Sequence, residues 1–276
     1  MVNNSSSASV SGADSSAFSG RVTTVLQITD CHLLSETGKR LLGVDTEDSL
    51  RAVLSQALSE FAPDALLATG DIAHDPSAEV YARFTALVAE YFTGPMLCIP
   101  GNHDLWAPMR SILAEPARLD LEGWQLLGMD THVDDDVAAC LRPTDEARLR
   151  EACVTAEGTH LLIACHHPPI ELGSPWIDKH RIQEGGELLE WLSEYSCVKG
   201  IVFGHAHQMV DTSYKHIAVM GTPSSCFQFV PRSQRFTIDT TMPGYRWLHL
   251  SDDGSIRTDV RRVEDYPLHI DLSQGA

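Results

Sequence analysis

The chain has 276 residues and a mass of 30.3 kDa, which is enough to bury a substantial core, and α/β chains of this size are commonly one domain. Its 20 basic and 38 acidic residues give a formal net charge of -18 with the histidines neutral. Because this charge repels phosphate backbones and anionic lipid surfaces, the sequence predicts neither nucleic acid nor a membrane as a partner. A phosphate-bearing substrate would need metal ions to offset the same charge.

The cysteines and the two termini add expectations about location and order. Seven cysteines form no Cys-x-x-Cys pair and no even, closely spaced framework, which indicates reduced thiols. No apolar run approaches the roughly 20 residues of a membrane span, and the N-terminus lacks the basic and apolar regions of a secretion signal. We therefore expect a soluble, cytoplasmic protein with a disordered, Ser-rich tail at residues 1–20 and a single domain at residues 21–276.

The first half of the chain alternates predicted strands and helices. A β-branched, apolar strand runs from Val22 to Thr29, and a helix begins around residues 45–46. The next strand ends in Asp71, and a helix at about Pro76 to Phe92 leads to a third strand at Met96 to Ile99. Short links between these elements predict right-handed crossovers and parallel neighbouring strands whose carboxyl ends lie on one edge of a sheet.

The second half first continues this alternation and then becomes rich in short β runs. Strands are expected at Trp124–Asp130, Thr159–Cys165 and Val198–Phe203, with helices at Thr144–Cys153 and Glu184–Tyr195. After residue 208 the short β runs are expected to form an antiparallel sheet packed on the first sheet.

Five of the predicted strand ends carry side chains of the types that bind metals. Residues two apart in an extended chain point to the same side, so an Asp-x-His or a His-x-His can hold an ion from one direction. A lone Asp-x-His is weak evidence, but five such positions in a chain with 13 histidines are hard to assign to chance. Mixed carboxylate, amide and imidazole ligands favour Mn, Fe, Zn or Co over metals that prefer thiolates. The five positions are Asp30 with His32, Asp71, Asn102 with His103, His166, and His205 with His207.

In order and spacing these residues resemble the calcineurin-like metallophosphoesterases. The resemblance is carried by Asp30-Cys31-His32, Gly70-Asp71, Gly101-Asn102-His103-Asp104, His166 and Gly204-His205-Ala206-His207. It implies an α/β (α+β) fold in the form of a four-layer αββα sandwich, with a two-metal centre at the strand ends. It also implies that Asp30, His32 and His207 hold the first metal, that Asn102, His166 and His205 hold the second, and that Asp71 bridges both.

Further stretches resemble the class III cyclic-nucleotide phosphodiesterases, in particular the bacterial cyclic AMP phosphodiesterase type. They are Leu42–Thr46, His166–Pro169, Ser174–Asp178, Thr222–Phe229 and Pro243–Trp247. This resemblance implies hydrolysis of 3′,5′-cyclic AMP, and of other cyclic nucleotides, to the 5′-monophosphate by a hydroxide that bridges two metals. The expected metals are iron or manganese, with zinc, cobalt and magnesium as alternatives. The expected partner is thus a small cyclic nucleotide.

The histidine that follows Asn102 has no metal assigned to it. We therefore expect His103 to contact a phosphoryl oxygen and to protonate the leaving alkoxide, with His32, Asn102 and His207 also contacting the substrate. Asp104 is expected either to orient His103 or to cap the following helix. Trp176 is expected either to face the nucleotide base or to pack in the interior. Asp178 is likewise expected to face the base. His74 is expected at a helix start, and His167 in a supporting role beside His166.

Other functions remain open at this point. A glycerophosphodiesterase or a broad-specificity phosphodiesterase could use the same metal centre, because the metals recognise the phosphate and no motif shows how the alcohol is bound. A metallo-protein phosphatase is less favoured, since no motif places an arginine near the phosphate. A metal-dependent, nucleotide-binding regulator would be expected to lack a ligand or His103, and neither is missing.

Overall fold

The computed structural model describes residues 21–113 and 118–274, so the Ser-rich segment 1–20 lies outside the described residues. The longer helices are α1 Thr46–Glu60, α2 Ala78–Ala89, α3 Trp106–Ile112, α4 Pro143–Thr155 and α6 Gly185–Leu192, with a short α5 at Pro175–Asp178. The strands are β1 Val22–Ile28, β2 Arg40–Leu41, β3 Val44–Asp45, β4 Ala65–Thr69, β5 Met96–Ile99, β6 Arg118–Leu121, β7 Trp124–Gly128, β8 His160–Ala164, β9 Val198–Phe203, β10 Val210–Tyr214, β11 Ile217–Gly221, β12 Gln228–Phe229, β13 Ile238–Asp239, β14 Gly244–Ser251 and β15 Ile256–Arg262.

Two large sheets contain most of these strands. The first has the order β15-β14-β1-β4-β5, in which β1, β4 and β5 are parallel as the sequence predicted. The second has the order β10-β11-β9-β8-β7-β6, with parallel strands in its centre and antiparallel strands at both edges. No helix of the described ranges has the length and apolarity that crossing a membrane requires.

The prediction of a separate antiparallel sheet after residue 208 is wrong. Strand β14 pairs antiparallel with β1, from Val22 opposite Ser251 to Gln27 opposite Arg246, and β15 follows it at the edge of the first sheet. Strands β10 and β11 instead extend the second sheet beside β9. Seven of the eight residues of β14 are buried, so this strand needs a neighbour on both sides and a layer on both faces.

The core has three layers, one between the sheets and one outside each sheet. Apolar residues of β1, β4 and β5 face those of β7, β8 and β9 between the sheets, as Leu67 and Trp124 do. Helices α1 and α2 cover the outer face of the first sheet, and α4 and α6 cover the outer face of the second. The structure thereby confirms the predicted four-layer αββα sandwich.

The arrangement of the sheets brings five strand ends to one region. Strands β1, β4 and β5 of the first sheet end at Ile28, Thr69 and Ile99, and β8 and β9 of the second end at Ala164 and Phe203. Each of these ends is followed, two or three residues later, by one of the predicted metal ligands. The fold therefore gathers side chains that are up to 177 residues apart in the chain.

Candidate metal centre

The three ligands predicted for the first metal lie together and are buried. His207 Nε2 is 3.2 Å from Asp30 Oδ1 and 3.2 Å from His32 Nε2. His207 Nδ1 must donate to the carbonyl oxygen of Phe227 at 2.7 Å, so the lone pair of Nε2 faces the other two side chains. The ligand atoms of all three residues lie within 4.8 Å of one another, which fits one shared cation.

The three ligands predicted for the second metal form another group. Asn102 Oδ1 lies 3.1 Å from His166 Nε2 and 2.9 Å from His205 Nδ1. His166 Nδ1 donates to the carbonyl oxygen of Thr69 at 2.8 Å, so in the neutral ring the Nε2 lone pair faces the Asn102 oxygen. Two acceptors at such a distance repel each other unless a proton or a cation lies with them. A metal ion fits this group of donor atoms.

Asp71 lies between the two groups. Its Oδ2 is 3.4 Å from His166 Nε2 in the second group and 3.7 Å from His32 Nε2 in the first. Its other oxygen, Oδ1, accepts the backbone N–H of His103 at 2.8 Å. One carboxylate thus contacts both groups, as a ligand shared by two metal ions would. All seven predicted ligands are brought together.

At most of these residues the surroundings favour the protonation state that binds a metal, which is the neutral imidazole or the ionised carboxylate. Burial lowers the pKa of both His32 and His205 well below the usual range, which keeps their imidazoles neutral as metal binding requires. Burial raises the pKa of Asp71, but His166, His103 and His32 outweigh it and hold that pKa well below its usual range. Burial likewise lowers the pKa of His166, but the charge and hydrogen bond of Asp71 raise it to about 9.

The backbone at the ligands is unusual. Five of them have positive φ angles, in the left-handed region that non-glycine residues seldom adopt: Asp30 (53°), His32 (48°), Asp71 (49°), His205 (59°) and His207 (49°). The expectation that an extended chain aims each ligand pair is therefore wrong, because the strands end before the ligands begin. Backbone strain of this kind clusters at functional sites.

Two glycines leave the space that the ligands occupy. A Cβ on Gly101 would lie 2.2 Å from Asp71 Oδ1, and one on Gly204 would lie 2.1 Å from Thr29 Oγ1 and 2.8 Å from Asp30 Oδ2. Contacts this short do not occur between real atoms, so no side chain fits at either position. Both glycines serve close approach to a ligand carboxylate.

Asp104 has neither of its two expected roles. The residue before α3 is Leu105, which makes no side-chain cap, and the Asp104 carboxylate is fully buried away from the His103 ring. It accepts the backbone N–H groups of Ile72, Ala73 and Gly101 at 2.9 to 3.2 Å and the Tyr81 hydroxyl at 3.0 Å. Asp104 therefore joins the loop after β4 to the loop after β5.

His103 lies half-buried at the edge of the ligand groups. Its ring packs edge-to-face against His32 at 4.9 Å and stacks on His74 at 4.9 Å between ring centroids. The expectation that His74 only starts a helix is incomplete, because Ser77 caps α2 and His74 supports the His103 ring. His103 lines the neighbouring cavity, where a substrate could contact it.

Three residues near the site differ in what they contact. His167 is buried beside His166 and its Nδ1 lies 2.9 Å from Thr131 Oγ1, which agrees with a supporting role. Asp178 accepts the backbone N–H groups of Leu172 and Gly173 and so serves its own loop. Trp176 both packs in the interior and lines the cavity, so its two expected roles are not exclusive.

The cavity beside the ligands has a volume of about 170 Å³ and includes side chains that sequence reasoning missed. His180 and Val137 carry no motif that could have indicated them. Phe236 lies in the loop before β13. The lining residues away from the ligands are Leu41, His74, His103, Val137, Trp176, His180, Phe227, Phe229 and Phe236.

Comparison with known proteins gives a family and several relatives. A family model described as calcineurin-like phosphoesterase matches residues 23–209. The 3′,5′-cyclic adenosine monophosphate phosphodiesterase CpdA of Pseudomonas aeruginosa is 36% identical over 253 residues, covering 90% of this chain and 92% of the relative. The protein of the same name from Escherichia coli strain K12 is 37% identical over 250 residues, covering 87% of this chain and 90% of the relative.

Solved structures show the same fold at low sequence identity. Purple acid phosphatase PPD1 from yellow lupin seeds has a TM-score of 0.65 and 13% identity, covering 91% of this chain and 53% of that one. A dimetal phosphatase from Danio rerio has a TM-score of 0.58 and 12% identity, covering 88% of this chain and 99% of that one. At such identities the likeness concerns the fold alone.

Proposed function

We propose that this chain, which belongs to the calcineurin-like phosphoesterase family, hydrolyses 3′,5′-cyclic AMP to the 5′-monophosphate. The observation that carries the proposal is the position of Asp71, whose carboxylate contacts two separate groups of metal-type ligands. The substrate is supported by relatives at 36% and 37% identity over most of both chains, which are named as phosphodiesterases of this nucleotide.

The seven ligands are divided by their contacts. Asp30, His32 and His207 would hold one ion, Asn102, His166 and His205 the other, and Asp71 both. When bound, two such ions activate a water for attack and neutralise charge on the phosphoryl oxygens. Carboxylate, amide and imidazole donors without a thiolate suit Mn, Fe, Zn or Co, and of these we propose iron or manganese.

His103 is assigned the proton transfer. Its backbone is fixed by the 2.8 Å bond to Asp71, and its ring lies at the cavity, beside the ligands but outside both groups. From there it would hold a phosphoryl oxygen and protonate the 3′ oxygen as the bond to phosphorus breaks. His32, Asn102 and His207 line the same cavity and are the other residues expected next to the phosphate.

The experiment is metal analysis and turnover of the manganese- or iron-loaded protein. Wild type should hydrolyse cyclic AMP, and His103→Ala should retain its metal while losing about 100-fold or more in kcat, the contribution of a positioned acid. The matched control is His216→Ala, since His216 is exposed at the turn between β10 and β11 and should leave both quantities unchanged. A panel with cyclic GMP, bis-p-nitrophenyl phosphate and a glycerophosphodiester tests the alternative substrates.

Two results would overturn these assignments separately. A metal-loaded protein that leaves cyclic AMP intact while cleaving other phosphodiesters contradicts the substrate. Unchanged turnover in His103→Ala contradicts the role of that histidine alone.

A further inference from the structure

The cavity beside the candidate metal centre has two chemically different sides. One part of the lining consists of the ligands with His74, His103 and His180, and the other is formed by the apolar side chains Leu41, Val137, Trp176, Phe227, Phe229 and Phe236. Outside the ligand groups, none of the described lining residues is Lys, Arg, Asp or Glu. The apolar side therefore offers no charge for a phosphate and suits a flat, uncharged group.

Three rings of this apolar side pack together as one cluster. The centroids of Trp176 and Phe229 are 4.9 Å apart, and Phe236 is 5.3 Å from each of them. Trp176 Nε1 donates to Ser233 Oγ at 3.0 Å, which fixes the orientation of the indole. Phe229 stacks on His207 with ring centroids 4.2 Å apart, so the aromatic cluster begins directly at a predicted metal ligand.

The exposure of these side chains separates core packing from ligand contact. Phe229 is only 9% exposed and belongs to an apolar cluster of the interior. Phe236 is 47% exposed and Val137 is 45% exposed, although both line the cavity. A ligand in the cavity would remove more of this apolar surface from water, which favours binding.

The cavity is large enough for one ring system. Its volume is about 170 Å³, and an apolar cavity of about 150 Å³ binds benzene. With the phosphate held at the ligand groups, the rest of a nucleotide would extend along the aromatic rings toward the partly exposed Phe236.

We propose that Trp176 and Phe236 form the binding site for the base of the nucleotide, with the base stacked on the aromatic cluster while the phosphate lies at the ligand groups. This inference rests on the proposed function. It assigns to these two residues the preference for nucleotides over phosphodiesters that have no base. Stacking on aromatic rings is tolerant of base identity, because every base presents a π-face. The site therefore recognises a base as such.

The test compares ligands with and without a base. Phe236→Ala should raise KM for cyclic AMP and Kd for 5′-AMP about tenfold, the effect of losing one stacking contact. It should leave kcat unchanged, and also KM for 1-deoxyribose 3′,5′-cyclic phosphate and Kd for ribose 5-phosphate, neither of which has a base. Turnover gives kcat and the two KM values, and calorimetry with the metal-loaded protein gives the two Kd values.

Three further variants make the result specific. Phe236→Tyr keeps a ring and should retain wild-type constants, whereas Phe236→Leu keeps apolar bulk without a ring and should resemble Phe236→Ala. Phe61→Ala is the matched control, because Phe61 is 50% exposed and packs on Trp247 on the outer face of the first sheet. It should leave every constant unchanged.

The outcomes distinguish this inference from the function on which it rests. If wild type hydrolyses cyclic AMP but Phe236→Ala changes the constants equally for ligands with and without a base, or changes none of them, the base site is overturned and the activity stands. If Phe236→Leu binds 5′-AMP as wild type does, stacking is overturned. If wild type does not hydrolyse cyclic AMP, the proposed function and the base site fall together.

Discussion

Gly101 shows how little room the candidate centre leaves around Asp71. Because Gly101 has no side chain, the loop after β5 can approach that carboxylate closely. An added Cβ would lie 2.2 Å from Oδ1 and 2.4 Å from the backbone N of Asp71. The same loop carries Asn102 and His103, so a displacement here moves a ligand, the shared carboxylate and the proposed acid together.

Gly101→Ala should therefore lower the number of metal ions bound per chain and reduce kcat/KM for cyclic AMP by about 100-fold or more, as a shift of about 1 Å does in a preorganised site. Metal analysis and turnover measure the two effects. The matched control is Gly186→Ala, because a Cβ on Gly186 in α6 meets nothing within 4 Å. A Gly101→Ala protein with full metal content and activity would contradict this prediction, because the loop would then have accommodated the added Cβ without displacing the ligands.

At the scale of elements, one buried carboxylate ties a helix to two loops. Burial and the nearby Asp71 raise the pKa of Asp104 to about 6, although three backbone N–H groups lower it. The Tyr81 hydroxyl of α2 donates to this carboxylate and accepts the backbone N–H of Leu105 at 3.1 Å. Helix α2 thereby holds the loop that carries His103.

Tyr81→Phe removes both of these hydrogen bonds and leaves the buried Asp104 carboxylate and the partly buried Leu105 N–H without that partner. The free energy of unfolding should fall by about 1 to 3 kcal/mol, which urea denaturation measures. Tyr214→Phe removes a hydroxyl that bonds to the exposed Glu190, and it should change stability by less than about 0.5 kcal/mol. Equal stabilities of the two variants would contradict the proposed tie.

At the scale of the whole molecule, Arg246 connects the two sheets. It is fully buried in β14 of the first sheet, and its guanidinium donates to Asp211 Oδ1 in β10 at 2.7 Å and to the carbonyl oxygen of Gly221 in β11 at 2.8 Å. Both partners belong to the second sheet, so a side chain of the first sheet satisfies polar groups of the second.

Arg246→Met should lower the free energy of unfolding by about 2 to 5 kcal/mol, because buried carbonyl groups lose their donor. The matched control is Arg261→Met in β15, whose Arg261 is 52% exposed and paired with Asp259, and it should cost less than about 0.5 kcal/mol. Urea midpoints of the two variants decide the matter. If they coincide, the sheets do not depend on Arg246.

Sequence reasoning grouped the strand-end ligands for a physical reason, whereas the four layers were implied by the family resemblance. Parallel strands connected by helices place their carboxyl ends on one edge, so Asp30, Asp71 and Asn102 could be grouped without coordinates. The pairing partner of β14 could not be predicted, because the pattern of a short β run indicates how buried the strand is but not which strand it pairs with. The role of Asp104 could not be predicted, because the four hydrogen-bond donors to its carboxylate come from residues 72, 73, 81 and 101, which only the fold brings together.

The positive φ angles at five ligands decide which substitutions can serve as clean probes of this centre. A residue in the left-handed region is tolerated best as Gly, Asn or Asp, and a β-branched replacement there is a genuine outlier. Exchanging Asp30 or Asp71 for Asn would remove the negative charge while keeping a side chain suited to that conformation. Exchanging them for Val would add a distorted loop to the lost ligand, and the phenotype would no longer report on the metal alone.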